Sequence, residues 1–118
     1  MATTDDVRRL CLILPEASEE DYHGVPVFRV AGRKFASLHR TGASHFADLD
    51  FHEPAAVVKL DREDQRGLIE AHPDAILPHR YHGRYGWAVV VLRHADETLL
   101  GLLARMAWAS AAPRRLLR

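Results

Sequence analysis

The sequence predicts an α+β domain in two layers, an antiparallel sheet of about five or six strands packed with N-terminal, middle and C-terminal helices. Two observations carry this. Apolar residues recur at helical spacing near both ends of the chain, and between these segments, apart from a middle helix marked by its cap and acidic first turn, they fall in short runs with strand-like patterning. One face of such a sheet packs under the helices, which leaves the other either solvated or free to act as a contact surface.

Each element has a local cause. Thr3 or Thr4 caps a first helix whose opening turn holds Asp5 and Asp6, favourable against the helix dipole, with Val7, Leu10, Cys11 and Leu14 on its apolar side. Pro15 ends it, and Glu16 to Asp21 reads as an acidic loop. From Tyr22 the period becomes two: Val25, Val27, Phe28 and Val30 form a strand, Ala31-Gly32 a turn, and Lys34 to His39 its partner. His45 to Phe51 and Ala55 to Leu60 read as two further strands separated by His52-Glu53-Pro54, where proline cannot donate to a central ladder. Asp61 caps a helix that carries Glu63 and Asp64 in its first turn and reaches about Ala71. An irregular stretch then runs through Pro78, and Trp87 to Arg93 is a buried strand. Asp96 caps the last helix, with Leu99, Leu102, Leu103 and Met106 on one stripe; Pro113 stops it before a basic tail, Arg114-Arg115-Leu116-Leu117-Arg118.

Composition narrows the function classes. A chain of 118 residues with 47% hydrophobic residues is one domain, residues 1–118, able to build a core without metal or disulfide staples. Its single cysteine, Cys11, forms no disulfide within the chain and suits a reducing cytoplasm. The longest apolar runs fall far short of the roughly 20 residues a membrane span requires, and the acidic N-terminus is no secretory signal. A cytoplasmic domain with no membrane partner is expected, with a monomer as the default state. The net charge is zero, but residues 1–75 hold 9 basic and 14 acidic side chains (9 − 14 = −5) and residues 76–118 hold 7 and 2 (7 − 2 = +5). The C-terminal third is the basic end.

Reactive chemistry finds little footing. Cys11 lies on the apolar stripe of a helix and reads as a buried structural thiol, without the base and oxyanion site a nucleophile needs. Gly83-Arg84-Tyr85-Gly86 has neither the spacing of a phosphate loop nor a helix behind it. His79 and His82 are two residues apart, with His39, His45, His52 and His94 elsewhere, but they lack the cysteines or second helical pair of a recognisable zinc site. Asp48 and Asp50 alternate on one strand face, which solvation explains more simply than acid/base catalysis. No catalytic residue, metal or cofactor is expected.

What remains is a basic and aromatic surface. Arg29, Arg33 and Lys34 flank a hairpin tip; Arg80, Tyr81, Arg84 and Tyr85 interleave cation and ring; Arg114 and Arg115, with Arg118, supply a third cluster. These residues are the candidate nucleic-acid contacts.

Five pieces of the chain, in order, resemble the MmcQ/YjbR family of small bacterial proteins: Leu14-Pro15-Glu16, the Gly24 to Ala36 hairpin, Val58-Lys59-Leu60-Asp61, Pro78 to Leu92, and the closing helix. One departure is visible, since Ala107-Trp108 stands where the family's last helix often carries Ser-Tyr. The resemblance implies a YjbR-like α+β fold and DNA binding through wing-like elements. The leading expectation is therefore a non-enzymatic DNA-binding domain that contacts phosphates with little base readout. The alternative is a protein-interaction or small-ligand module with an apolar cleft lined by Phe28, Phe35, Phe46 or Trp87.

Overall fold

The computed structural model describes residues 1–39, 54–79 and 86–117. The expected strand at His45 to Phe51, the carboxylates Asp48 and Asp50, and the candidate contacts Arg80, Tyr81, Arg84 and Tyr85 lie outside the described residues.

Within them, helix α1 (Thr4–Leu12) is followed by strands β1 (Ala17–Tyr22), β2 (Val25–Val30), β3 (Arg33–His39) and β4 (Ala55–Lys59). Helix α2 (Arg62–Ala71), strands β5 (Ile76–Pro78) and β6 (Trp87–Val91) and helix α3 (Glu97–Ala111) complete the order. The six strands form one open antiparallel sheet in the order β1-β2-β3-β4-β6-β5. The α+β architecture expected from the sequence is the observed one.

Local chemistry explains the ends of these elements. Thr3 caps α1 reciprocally: the Asp6 amide donates to Thr3 Oγ1 at 3.2 Å and the Thr3 amide donates to Asp6 Oδ2 at 3.0 Å. The Asp96 carboxylate accepts from the Leu99 amide at 2.7 Å and starts α3. Asp61 occupies the N-cap of α2 without a side-chain cap bond. Two tight turns join the first three strands, His23-Gly24 and Ala31-Gly32, and both residues of each have positive φ, as the hairpin turn matched to strand twist demands.

Four sequence expectations change. Glu16 to Asp21 is not a loop: Ala17–Tyr22 is the edge strand β1, with all residues after Ala17 exposed. Its charges suit an unpaired edge, because they discourage a second sheet from adding there. Ile76–Pro78, read as irregular, is the short opposite edge β5, and its terminal proline suits that position. The last strand stops at Val91, and Leu92–His94 is a 3-10 turn. The buried side of α3 is Leu99, Leu100, Leu103, Ala104, Ala107, Trp108 and Ala111, so Leu102 faces solvent at 40% exposure. Alanines make up much of that side, and their small size lets the helix lie close to the sheet.

The main core lies between one sheet face and the helices α1 and α3, around Phe28, Val30, Phe35, Ile76, Val90, Leu100 and Leu103. Each large side chain buried there contributes about 1.5–3 kcal/mol. On the other face Ala55, Val57 and Val89 form a second buried cluster, with Leu77 and Trp87 packed on it.

One irregularity sets the chemistry of that second face. Phe28 pairs with Ala36 and Arg29 with Lys34, so Phe35 is an extra residue in β3. The bulge turns both Phe35 and Ala36 into the main core. Strict alternation would have placed Lys34 on the same side as Ala36, under the helices; the bulge sends it to the opposite face.

Candidate nucleic-acid interface

Lys34 crosses the outer sheet face to Trp87, and its Nζ lies 5.0 Å from the indole centroid. Lys59, directly paired with Trp87 across β4 and β6, places its own Nζ 5.9 Å from the same ring. These are the only two lysines in a chain that holds 16 lysine and arginine residues in all. Both distances fall within the range in which a cation is attracted to an aromatic face.

Arg29 extends the row by one strand, because it pairs with Lys34 across β2 and β3. Its guanidinium is held on two sides, donating to Glu20 of β1 and, through Nη1, to the Gly32 carbonyl at 3.2 Å. Arg29, Lys34, Lys59 and Trp87 thus form a line of half-buried side chains running across β2, β3, β4 and β6. Burial and the neighbouring Arg29 charge push the Lys34 ammonium below the usual lysine range.

The row lies at the hairpin end of the sheet. Here β1 begins, with Ala17 opposite Val30; β2 turns into β3, with Val30 opposite Arg33; and β6 begins, with Trp87 opposite Lys59. Arg33 is exposed at the hairpin tip. Pro78 pairs with Ala88, so β5 ends here as well, and residues 79 and 86, which bracket the candidate contacts outside the described residues, belong to this end. Gly86 fixes the return of the chain. Its φ is +91°, its carbonyl accepts from the Leu60 amide at 2.7 Å, and an added Cβ would sit 3.0 Å from the Leu60 carbonyl oxygen.

The C-terminal cations reach the same end from the helix side. The Ser110 hydroxyl near the end of α3 donates to the Ala107 carbonyl at 2.7 Å and lies 3.3 Å from the Lys59 carbonyl, and Pro113 leads into a 3-10 turn, Arg114–Leu116. Arg114 is exposed. Arg115 donates twice to Glu16, at 2.5 and 2.8 Å, which lowers the Glu16 pKa and raises that of Arg115. The acidic segment therefore neutralises the protein's own arginines: Glu16 takes Arg115, Glu19 takes Arg8 and Glu20 takes Arg29. Of these pairs, Glu16–Arg115 is where the acidic first part of the chain meets its basic last third. Exposed pairs of this kind add little to stability, because solvent screens them.

Of the sequence-derived contacts, Arg29, Arg33, Lys34, Arg114 and Arg115 gather at one end of the sheet. Lys34 and Arg29 belong to the outer face, and Arg115 is engaged on the helix side. Two members of the row, Lys59 and Trp87, were not among the expected contacts. Strand alternation is the signal for them, since Lys59 shares a side with Val57 and Trp87 with Val89.

Other residues singled out from the sequence are placed elsewhere. Cys11 is buried against the core, and burial pushes its thiol pKa up to about 12, the state of an unreactive structural cysteine. His79 follows β5 at the hairpin end, whereas His39 and His94 belong to the far end, so these three do not converge. Phe28 and Phe35 are fully buried under the helices and Trp87 is on the opposite face, so they line no common cleft; Phe46 lies outside the described residues. The Ala107-Trp108 pair packs: Ala107 is buried, and the Trp108 indole donates to the Pro15 carbonyl at 2.9 Å. A groove of about 390 Å³ beside α2 is lined by Arg62, Gln65, Arg66, Ile69, Glu70, Pro78 and His79. No described helix is long and apolar enough to cross a membrane.

Comparison with known proteins agrees with this architecture. The chain is similar to the crystal structure of Deinococcus radiodurans protein DR2400, which carries a DUF419 domain: the identity is 28%, the TM-score 0.70, and the match covers 92% of this chain and 77% of that one. It also shares the fold of a crystal structure from Pseudomonas syringae, at 13% identity and a TM-score of 0.73 over 94% of this chain and 99% of that one. No curated protein matches the sequence. The sequence model of the YjbR family matches residues 12–110, from the end of α1 almost to the end of α3, and the chain belongs to the YjbR family.

Proposed function

We propose that this chain is a DNA-binding domain, not an enzyme, that grips the phosphate backbone with cations at the hairpin end of its sheet. The observation that carries the reading is the meeting of Lys34 and Lys59 at Trp87, with Arg29 paired beside Lys34, on the face turned away from the helices. Like charges so close repel one another, and a polyanion placed against them relieves that repulsion. Arg33 and Arg114, exposed at the same end, widen the positive surface. A net charge of zero suits modest affinity better than tight nonspecific wrapping. A cytoplasmic location suits its single, free cysteine, and a bacterial cell suits the organisms of the two similar structures, Deinococcus radiodurans and Pseudomonas syringae.

The test is an anisotropy titration with labelled DNA, both single-stranded and duplex, at several salt concentrations. Log affinity is expected to fall linearly with log salt, by roughly 0.7–0.9 per phosphate neutralised. No binding of either form at low salt, or binding indifferent to salt, contradicts the proposal.

A further inference from the structure

Taking the nucleic-acid reading as its base, we infer that the occupant of the Arg29–Lys34–Lys59–Trp87 row is a single strand, with a base laid on the indole and the flanking phosphates held by the two ammoniums. The shape of the surface argues against a duplex. The row crosses four neighbouring strands, three interstrand steps or about 14 Å, whereas the major groove is about 12 Å wide and admits a helix or a two-stranded ribbon. A four-stranded face meets a duplex at its phosphates alone. For that task a tryptophan is useless, because the bases of a duplex are stacked on one another.

The same ring becomes useful when a base is unstacked, since a flat indole between cations is the combination that binds single strands without demanding a sequence. The identity of the cations fits this. Arginines dominate the chain, yet the two residues on the ring are its only lysines. A lysine is a compact charge on a flexible stem, and it can swing from ring to phosphate where a planar guanidinium would stay stacked on the indole. In the free protein the ammoniums cover the ring. When a strand binds, its phosphates draw them aside and a base takes the vacated face. Arg29 has an equivalent exchange, leaving Glu20 for a phosphate at the next strand over.

The experiment titrates the protein with an oligodeoxythymidylate and with a duplex of the same length, reading label anisotropy and indole fluorescence together. The oligodeoxythymidylate is expected to bind about tenfold or more tightly than the duplex at equal salt and to quench tryptophan emission. Trp87→Phe keeps a stacking ring: its affinity stays within about threefold while the quench disappears, because Trp108 is buried among α3, Pro15 and the core. Trp87→Leu, which retains an apolar side chain over Val57 and Val89, weakens single-strand binding about tenfold. Duplex binding as tight as single-strand binding, without quench, overturns the inference and leaves the DNA-binding proposal standing. Single-strand affinity unmoved by Trp87→Leu also overturns it. Binding of neither probe overturns both.

Discussion

Trp108 and Trp87 lie on opposite sides of one sheet, and their surroundings differ in kind. Trp108 is buried in the main core, and its polar N–H is satisfied by the Pro15 carbonyl. Trp87 is half-buried, rests on a small valine and alanine cluster, and is approached by two ammoniums. The helix-covered face spends its aromatic residues on packing. Among the described residues, the opposite face leaves Trp87 partly exposed beside two cations, the arrangement on which the proposed phosphate contact rests. The described phenylalanines, Phe28 and Phe35, are both in the main core.

Mutations break this comparison in order of size. Trp108→Ala is expected to cost about 3–5 kcal/mol, by loss of buried area and a cavity in the main core, whereas Trp87→Leu costs about 1–2 kcal/mol, the cation–ring attraction and part of its packing. Urea unfolding of both variants checks this, and equal losses would erase the distinction between the faces. Gly86→Ala is expected to cost about 1–3 kcal/mol through its positive φ and the approach of Leu60. The same loss would misplace Trp87, so binding falls along with stability.

A smaller effect concerns salt. The double variant Lys34→Ala with Lys59→Ala is expected to reduce the slope of log affinity against log salt by about 1.5–2, roughly one unit for each phosphate contact removed. A slope identical to wild type would move the contact surface away from this row. Ala31→Gly goes the other way, stabilising the fold by about 0.5–1 kcal/mol, because Ala31 holds a φ of +50° that glycine adopts freely.

The least of these effects is in pH. Lys34 has a lowered pKa, from burial first and the Arg29 charge second, so raising the pH neutralises it before an ordinary lysine. Phosphate affinity needs the charged form. It should therefore start to fall below the usual lysine range near 10.4, and Lys34→Ala, which has no ammonium to lose, should bind more weakly at neutral pH and lack this early fall. Identical profiles for the two proteins would mean that Lys34 does not contact phosphate.

Sequence reasoning reached the parts of the fold whose causes are local. Thr3, Asp96 and the Ala31-Gly32 turn act within a few residues of themselves, and each is where it was expected. The acidic strand β1 was missed because an exposed edge strand needs no apolar alternation; its pairing with β2 supplies what its side chains do not announce. The bulge at Phe35 was missed for a related reason. Whether Lys34 or Phe35 faces the helices is decided by how β3 registers against β2, a matter between two strands. The site was half legible on the same logic. Arg29 and Lys34 stood out beside the hairpin tip, but the meeting of Lys59 and Trp87 joins residues 28 apart in sequence, and the Glu16–Arg115 pair joins residues 99 apart.

The contact face is tested most directly by the two indole N–H signals in a nitrogen–proton correlation spectrum, one for each tryptophan of the chain. On titration with an oligodeoxythymidylate, the Trp87 signal is predicted to shift progressively while that of Trp108, bonded to Pro15 in the core, stays in place. A moving Trp108 signal beside a stationary Trp87, or two signals that never move at low salt, would contradict the account.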